Sequence, residues 1–218
     1  MSETVTLRRM TLRQYLAAAA VTGCAVAVDD GNIEWVDAAK DRDWKDLLTF
    51  FTECADSDEW CFVAHNNAFD SRVLRFGWTR AHGPLAVPHP KRAHCTVELA
   101  HAAWPNQPGA IRVTATGEST EDKRDPHAYS LASLAQTLAL GIGKLSIDLK
   151  TASPEELAVY CARDVELCRM IHVRALPRLH PDEIRLAELA QAVRELYLEI
   201  DGSKVGAAIT EFEAAARR

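Results

Sequence analysis

The stretch Ser153-Pro154-Glu155-Glu156 is the firmest local instruction in the chain. A serine able to accept from the third helical N–H, a proline suited to the first helical position and a glutamate that reaches back to the serine N–H form a capping box. It predicts a helix from Ser153 to about Ala175. Residues four apart share one face of such a helix, so the Tyr160 hydroxyl and the Asp164 carboxylate can reach one locus. A solvated helix face would explain Asp164 alone. Its neighbours Val165, Leu167 and Cys168 lie on an apolar surface, which makes a carboxylate there less casual.

A second unit is built differently. The compact apolar run Trp60 to Ala64 predicts a strand, which feeds His65-Asn66-Asn67-Ala68-Phe69 and then Asp70. Asp70 falls in the first turn of the following helix. A carboxylate there either complements the helix dipole or serves a site, and this motif alone leaves the two readings even.

The remaining pattern fills in a single α/β domain. Helical spacing predicts helices from Thr11 to Ala20, about Asp43 to Ala55, Thr96 to Ala103, Ser130 to Leu140, Asp182 to about Tyr197, and Lys204 to Ala216. Cys24 to Val28 and Asn32 to Val36 read as a hairpin around Asp29-Asp30-Gly31, and Leu198 to Ile200 as a short strand. Residues 105–128 are polar and punctuated by glycine and proline, a surface insertion. The 218 residues, 48% hydrophobic and 26% charged, suffice for a full core. Residues 1–200 are read as the domain and 201–218 as a C-terminal helix.

Net charge is −6, so no overall basic surface advertises a nucleic-acid binder, although local charge around a groove matters more than the total. From Ser71 to Val97 there is no acidic residue, while Arg72, Arg75, Arg80, Lys91 and Arg92 are present with Phe76 and Trp78 interleaved. This stretch follows Asp70 directly. It can pair with strand phosphates while an aromatic stacks a base, or it is a basic solvated face with core aromatics. His82, His89, His94 and His101 lack metal spacing and read as loop histidines. The six cysteines include no Cys-x-x-Cys pair and are expected to be buried, reduced thiols. No segment reaches the ~18 apolar residues of a membrane span, and the arginine-flanked run Ala17 to Ala20 is too short for a signal sequence. The expectation is a cytoplasmic protein.

The order and separation of the two motifs carry more than either alone. A strand followed by His-Asn-x-x-Phe-Asp, then about ninety residues later Tyr-x-x-x-Asp on a helix, resembles the second and third motifs of the DEDD 3′–5′ exonucleases, tyrosine subclass. The nearest likeness is to the exonuclease domain that precedes the polymerase in bacterial and phage family A enzymes. Cys95-Thr96 opening a helix, Ser130-Leu131-x-x-Leu134-Ala135 and Ser153-Pro154-Glu155-Glu156-Leu157 are similar as well, and so is the segment Leu7 to Asp37.

The resemblance implies a ribonuclease-H-like α/β fold, a mixed sheet of about three to five strands flanked by helices, with a helical C-terminal third. It implies a proofreading-type exonuclease using two Mg²⁺ or Mn²⁺ ions about 4 Å apart on single-stranded or frayed DNA 3′ ends. Asp70 and Asp164 would supply metal ligands and Tyr160 would orient the attacking water. Asn66 would contact the terminal nucleotide or brace the turn, and Phe69, Arg72, Arg75, Lys91 and Arg92 would contact the nucleic acid. The family's first motif, Asp-x-Glu on the central strand, is not reproduced. Glu3-Thr4 is similar to its end, but Met1 stands where the aspartate belongs, so Glu3 is either a remnant catalytic and metal ligand or a frayed terminal residue. The expectation is an N-terminus set too late or truncated, and weak turnover or none. Residues 201–218 would lead toward a polymerase domain, a DNA polymerase being the expected partner. Two rivals use the same residues: a catalytically impaired exonuclease fold that binds DNA or docks on a polymerase, and a 3′–5′ exoribonuclease.

Overall fold

The computed structural model describes residues 21–67, 69–74, 90–106, 127–149 and 151–195. The expected helices at Thr11 to Ala20 and Lys204 to Ala216, the strand at Leu198 to Ile200 and most of the 105–128 insertion lie outside them.

The hairpin forms where the turn chemistry places it. Strand β1 (Gly23–Val26) pairs antiparallel with β2 (Glu34–Asp37), Gly23 opposite Asp37 and Val26 opposite Glu34. Asp29 adopts a positive φ of 46° and Gly31 N–H donates to the Val28 carbonyl at 2.8 Å, closing the turn. Gly23 is required by close packing, since a Cβ there would meet the Trp35 ring at 2.2 Å.

Helix α1 (Asp41–Ala55) begins two residues before the expected Asp43 and carries Asp41 and Asp43 in its first turn, where they favour the helix dipole. Its inner face is Trp44, Leu48, Phe51 and Ala55, at helical spacing. Strand β3 (Phe62–Ala64) then pairs in parallel with β4 (Ala93–Cys95), Phe62 opposite Ala93 and Ala64 opposite Cys95. After β3, residues 69–74 are helical, and β4 runs directly into α2 (Thr96–Ala103).

Helix α3 (Leu131–Thr137) starts on a Ser130 cap whose hydroxyl accepts from Ser133 N–H at 3.2 Å. It stops three residues short of the expected Leu140, because Ala139 and Gly141 take φ values of 47° and 78° and turn the chain out of the helix. Helix α4 (Pro154–Ala175) has the full capping box: Ser153 Oγ accepts from Glu156 N–H at 3.2 Å, and Glu156 Oε2 accepts from Ser153 N–H at 2.8 Å. A short 3₁₀ turn, Leu176–Arg178, leads to α5 (Pro181–Glu195).

Both strand pairs pack against helices. Trp44, Leu48 and Phe51 of α1 pack with Leu74 against Cys24 of β1, Val36 of β2 and Phe62 of β3. Helix α4 packs against β1, β2 and β3, and its Arg169 donates to the Asp29 and Gly31 carbonyls at 3.1 and 3.0 Å, fastening the hairpin turn. A second cluster joins α2, α3 and α4 through Ala100, Leu131, Leu134, Leu167 and Ile171. A third seats α5 on Leu99 and Ala175 through Ala187.

The fold is therefore mixed α/β. The single mixed sheet expected from the sequence is not what the described residues form: four strands make two separate pairs, β1–β2 and β3–β4, which share helices and not hydrogen bonds. Alternating apolar residues announce a strand but say little about which strand it will pair with. The six cysteines are free, Cys95 and Cys168 buried and the rest half-buried. Among the described residues no helix is long and apolar enough to cross a membrane.

Candidate functional site

Parallel strands deliver their C-terminal ends to one edge, a common place for a site because the loops leaving the strands converge there. Here β3 leads to His65 and β4 to Thr96. His65 Nδ1 and Thr96 Oγ1 lie 2.9 Å apart, and Thr96 Oγ1 lies 3.7 Å from Cys168 Sγ of α4. The two strand ends are thus tied to each other and to the helix that carries Tyr160 and Asp164. Asn66, exposed, turns the chain from strand to helix with a φ of 59°, a left-handed conformation that asparagine tolerates, and its carbonyl accepts from Phe69 N–H at 2.9 Å.

Asp70 follows in the helical residues 69–74, within electrostatic reach of Asp164. Its carboxyl is pushed up to about 7, first by burial and then by the charge of Asp164. The two carboxylates, about ninety residues apart in sequence, act on one another across the gap between the β3 exit and α4. Keeping Asp70 ionised in that position costs on the order of 4 kcal/mol relative to water.

Lys144 answers half of this charge. Its ammonium donates to Asp164 Oδ2 at 2.5 Å and sits 4.6 Å from the centre of the Tyr160 ring. Burial works against the ammonium, but hydrogen bonds to Asp164 and Tyr160 outweigh it and hold the lysine above its ordinary value. His65 is driven the other way, to about 4, by burial and then by the Lys144 charge, so its ring is neutral at physiological pH. Cys24 and Cys168 are each pushed up to about 12 chiefly by burial, with the Asp70 charge adding to it, so neither supplies a thiolate.

Unpaired polar atoms gather on the same two elements. Asp164 Oδ1, both ends of the Asn67 amide and Ser71 Oγ are buried without a hydrogen-bond partner. Asn67 and Ser71 are fully enclosed. Each such atom costs about 1–3 kcal/mol unless something fills the position beside it.

Of the nucleic-acid contacts expected from the sequence, Phe69 and Arg72 are half-buried on the turns around Asp70. Lys91 and Arg92 stand apart. They enter β4 at its N-terminal end, opposite the end that carries Asp70, where Lys91 meets Asp58 at 4.0 Å and Arg92 meets Glu188 at 3.5 Å. Glu3, Arg75, Arg80, Phe76 and Trp78 lie outside the described residues, as do His82 and His89.

No family model, no curated protein and no solved structure matches the chain.

What the site can do follows from its own groups. Among the described residues no three histidine, cysteine, aspartate or glutamate side chains assemble as a metal cage. The pair Asp70 and Asp164 nevertheless suits a hard divalent cation, because both donate oxygen, one oxygen of Asp164 is unpartnered, and burial leaves Asp70 in need of positive charge.

Two features of the molecule escaped sequence reasoning. Lys144 lies in an irregular segment, and only its position just after Gly143 sets it apart in the sequence. The reading of His94 and His101 as loop histidines is corrected. His94 is buried in β4, its Nδ1 2.8 Å from His172 Nε2 of α4 and its Nε2 3.2 Å from Glu188 Oε1 of α5, whereas His101 stacks on the Tyr129 ring at 3.6 Å. Proximity to a Pro/His-rich run concealed a core position.

Proposed function

We propose that the chain is a divalent-cation-dependent 3′–5′ exonuclease of the DEDD tyrosine type, hydrolysing phosphodiester bonds at single-stranded or frayed DNA ends beside a DNA polymerase. The observation that supports this reading is that Asp70 feels the charge of Asp164, with Tyr160 one helical turn before Asp164 on the same face of α4.

Asp70 and Asp164 would hold the cation, Mg²⁺ or Mn²⁺. When bound, it supplies the Lewis acidity that phosphodiester hydrolysis needs at neutral pH. The chain's own contribution is placement. Tyr160 orients a water through its hydroxyl, a positioning role. His65 holds the strand ends together as a neutral ring and adds no charge to the locus. Asn66, on the turn entering the helix of Asp70, and Phe69 and Arg72, within the helical residues 69–74, would contact the terminal nucleotide.

A second reading, an exonuclease fold that binds DNA with little turnover, is favoured by the count of carboxylates: the described residues bring two to the locus. Both readings are tested on a 3′-labelled single-stranded oligonucleotide with Mg²⁺ and with Mn²⁺. The expected outcome is release of single nucleotides from the 3′ end that Asp70→Ala abolishes. Retention of the oligonucleotide with no cleavage would favour the binding fold. Cleavage that Asp70→Ala leaves intact would overturn the site.

A further inference from the structure

We propose that Lys144 is an internal stand-in for the divalent cation, holding Asp164 while the site is empty and giving way when a cation loads. The inference rests on the cation-site reading above and adds the regulation of that site.

Three observations carry it. The Lys144 ammonium takes Asp164 Oδ2 at 2.5 Å, both side chains being about one quarter exposed, so the contact is a shielded ion pair and not a loose surface one. The ammonium leaves the site incompletely served, because Asp164 Oδ1 remains buried and unpartnered and Asp70 lies close enough to feel the Asp164 charge. A single positive charge at one corner therefore balances half of what two carboxylates present. Finally, the lysine is carried outside any helix or strand, where no backbone ladder fixes its position. Residues 142–149 have no regular secondary structure, Gly141 has a φ of 78°, and a Cβ at either Gly141 or Gly143 would meet nothing within 4 Å.

Electrostatics sets the two states against each other. A doubly charged ion held by Asp70 and Asp164 would meet the ammonium on the same Asp164 carboxylate, and like charges that close repel strongly in a half-buried site. Lys144 then either leaves or keeps the cation out. In the empty site its presence lowers the repulsion between the carboxylates and keeps α4 and the β3 exit together. Its absence should leave a site that is less stable when empty and hungrier for cation.

The test is a Mn²⁺ titration of the full chain followed by electron paramagnetic resonance, with wild type, Lys144→Met and Lys144→Arg, alongside thermal unfolding in chelator and in Mn²⁺. Lys144→Met should bind Mn²⁺ about tenfold more tightly, melt earlier than wild type in chelator and regain more on adding Mn²⁺. Lys144→Arg keeps the charge and should stay near wild type, which separates charge from packing. Wild-type binding with Lys144→Met equal or weaker overturns this inference and leaves the cation site standing. Failure of both wild type and Lys144→Met to bind Mn²⁺ removes the cation reading itself, and this inference with it. If Lys144→Met does not fold, Lys144→Gln carries the same comparison with a hydrogen-bonding side chain.

Discussion

Tyr160 and Asp164 stand one turn apart on α4, yet the proposed function gives them separate tasks. Asp164 has a carboxylate with one oxygen engaged by Lys144 and the other buried without a partner, whereas Tyr160 offers a ring face and a hydroxyl. Tyr160→Phe keeps the ring against Lys144 and removes the hydroxyl. It should slow 3′-end hydrolysis by about one to two orders of magnitude, the scale of a lost positioning contact, while leaving Mn²⁺ affinity within about twofold of wild type. Calorimetric titration beside the nuclease assay separates the two effects. An equal loss of Mn²⁺ binding and activity would assign Tyr160 to the cation and not to water. These residues were legible because each sits where simple rules speak: Asp70 in the turn after a strand, Tyr160 and Asp164 at helical spacing. Lys144 was not, since a loop lysine finds its partner through a path that no periodicity encodes.

At the scale of elements, α5 is held to the sheet by a polar clamp as well as by Ala187. His94 of β4, His172 of α4 and Glu188 of α5 form a chain of contacts at 2.8 and 3.2 Å, with Arg92 and Arg185 on Glu188 at 3.5 and 3.7 Å. Both histidines are held below their ordinary value: His172 to about 4 by burial and then by His94, and His94 by burial and Arg92 against the raising effect of Glu188. In the unfolded chain both rings take up protons near pH ~6.5. The stability that depends on their staying neutral is therefore present above that pH and is lost as the pH falls toward 4, where His172 protonates in the fold. The melting temperature should fall between pH 7 and pH 5, and His172→Gln, which cannot titrate, should flatten that slope. An unchanged slope in the variant would detach the clamp from acid sensitivity. The starts of α3 and α4 were readable to within a residue, because capping at Ser130 and Ser153 is local chemistry. Strand pairing was not, since it depends on partners far along the chain, and the expected sheet appears as two pairs.

Across the whole molecule, α1 and α4 both pack against β1, β2 and β3, and Asp70, leaving β3, feels the charge of Asp164 on α4. Phe62 anchors β3 in the α1 core, so the chain leaving β3 must emerge beside α4. Convergence of the two carboxylates on one ion is an expectation that rests on motif order. The basic run from Arg72 to Arg92 was read as one surface, yet Lys91 and Arg92 belong to the far end of β4 and to partners on other elements. Linear charge density says nothing about which end of a strand a residue will occupy. The central claim is that Asp70 and Asp164 form one cation site. Its most direct test is a Mn²⁺ titration of wild type, Asp70→Asn, Asp164→Asn and the double variant. If the carboxylates share an ion, each single variant should lose about tenfold or more in affinity, and the double variant should lose much less than the sum of the two. Wild-type Mn²⁺ affinity in Asp70→Asn, or losses that simply add, would show that the two carboxylates do not hold a common ion.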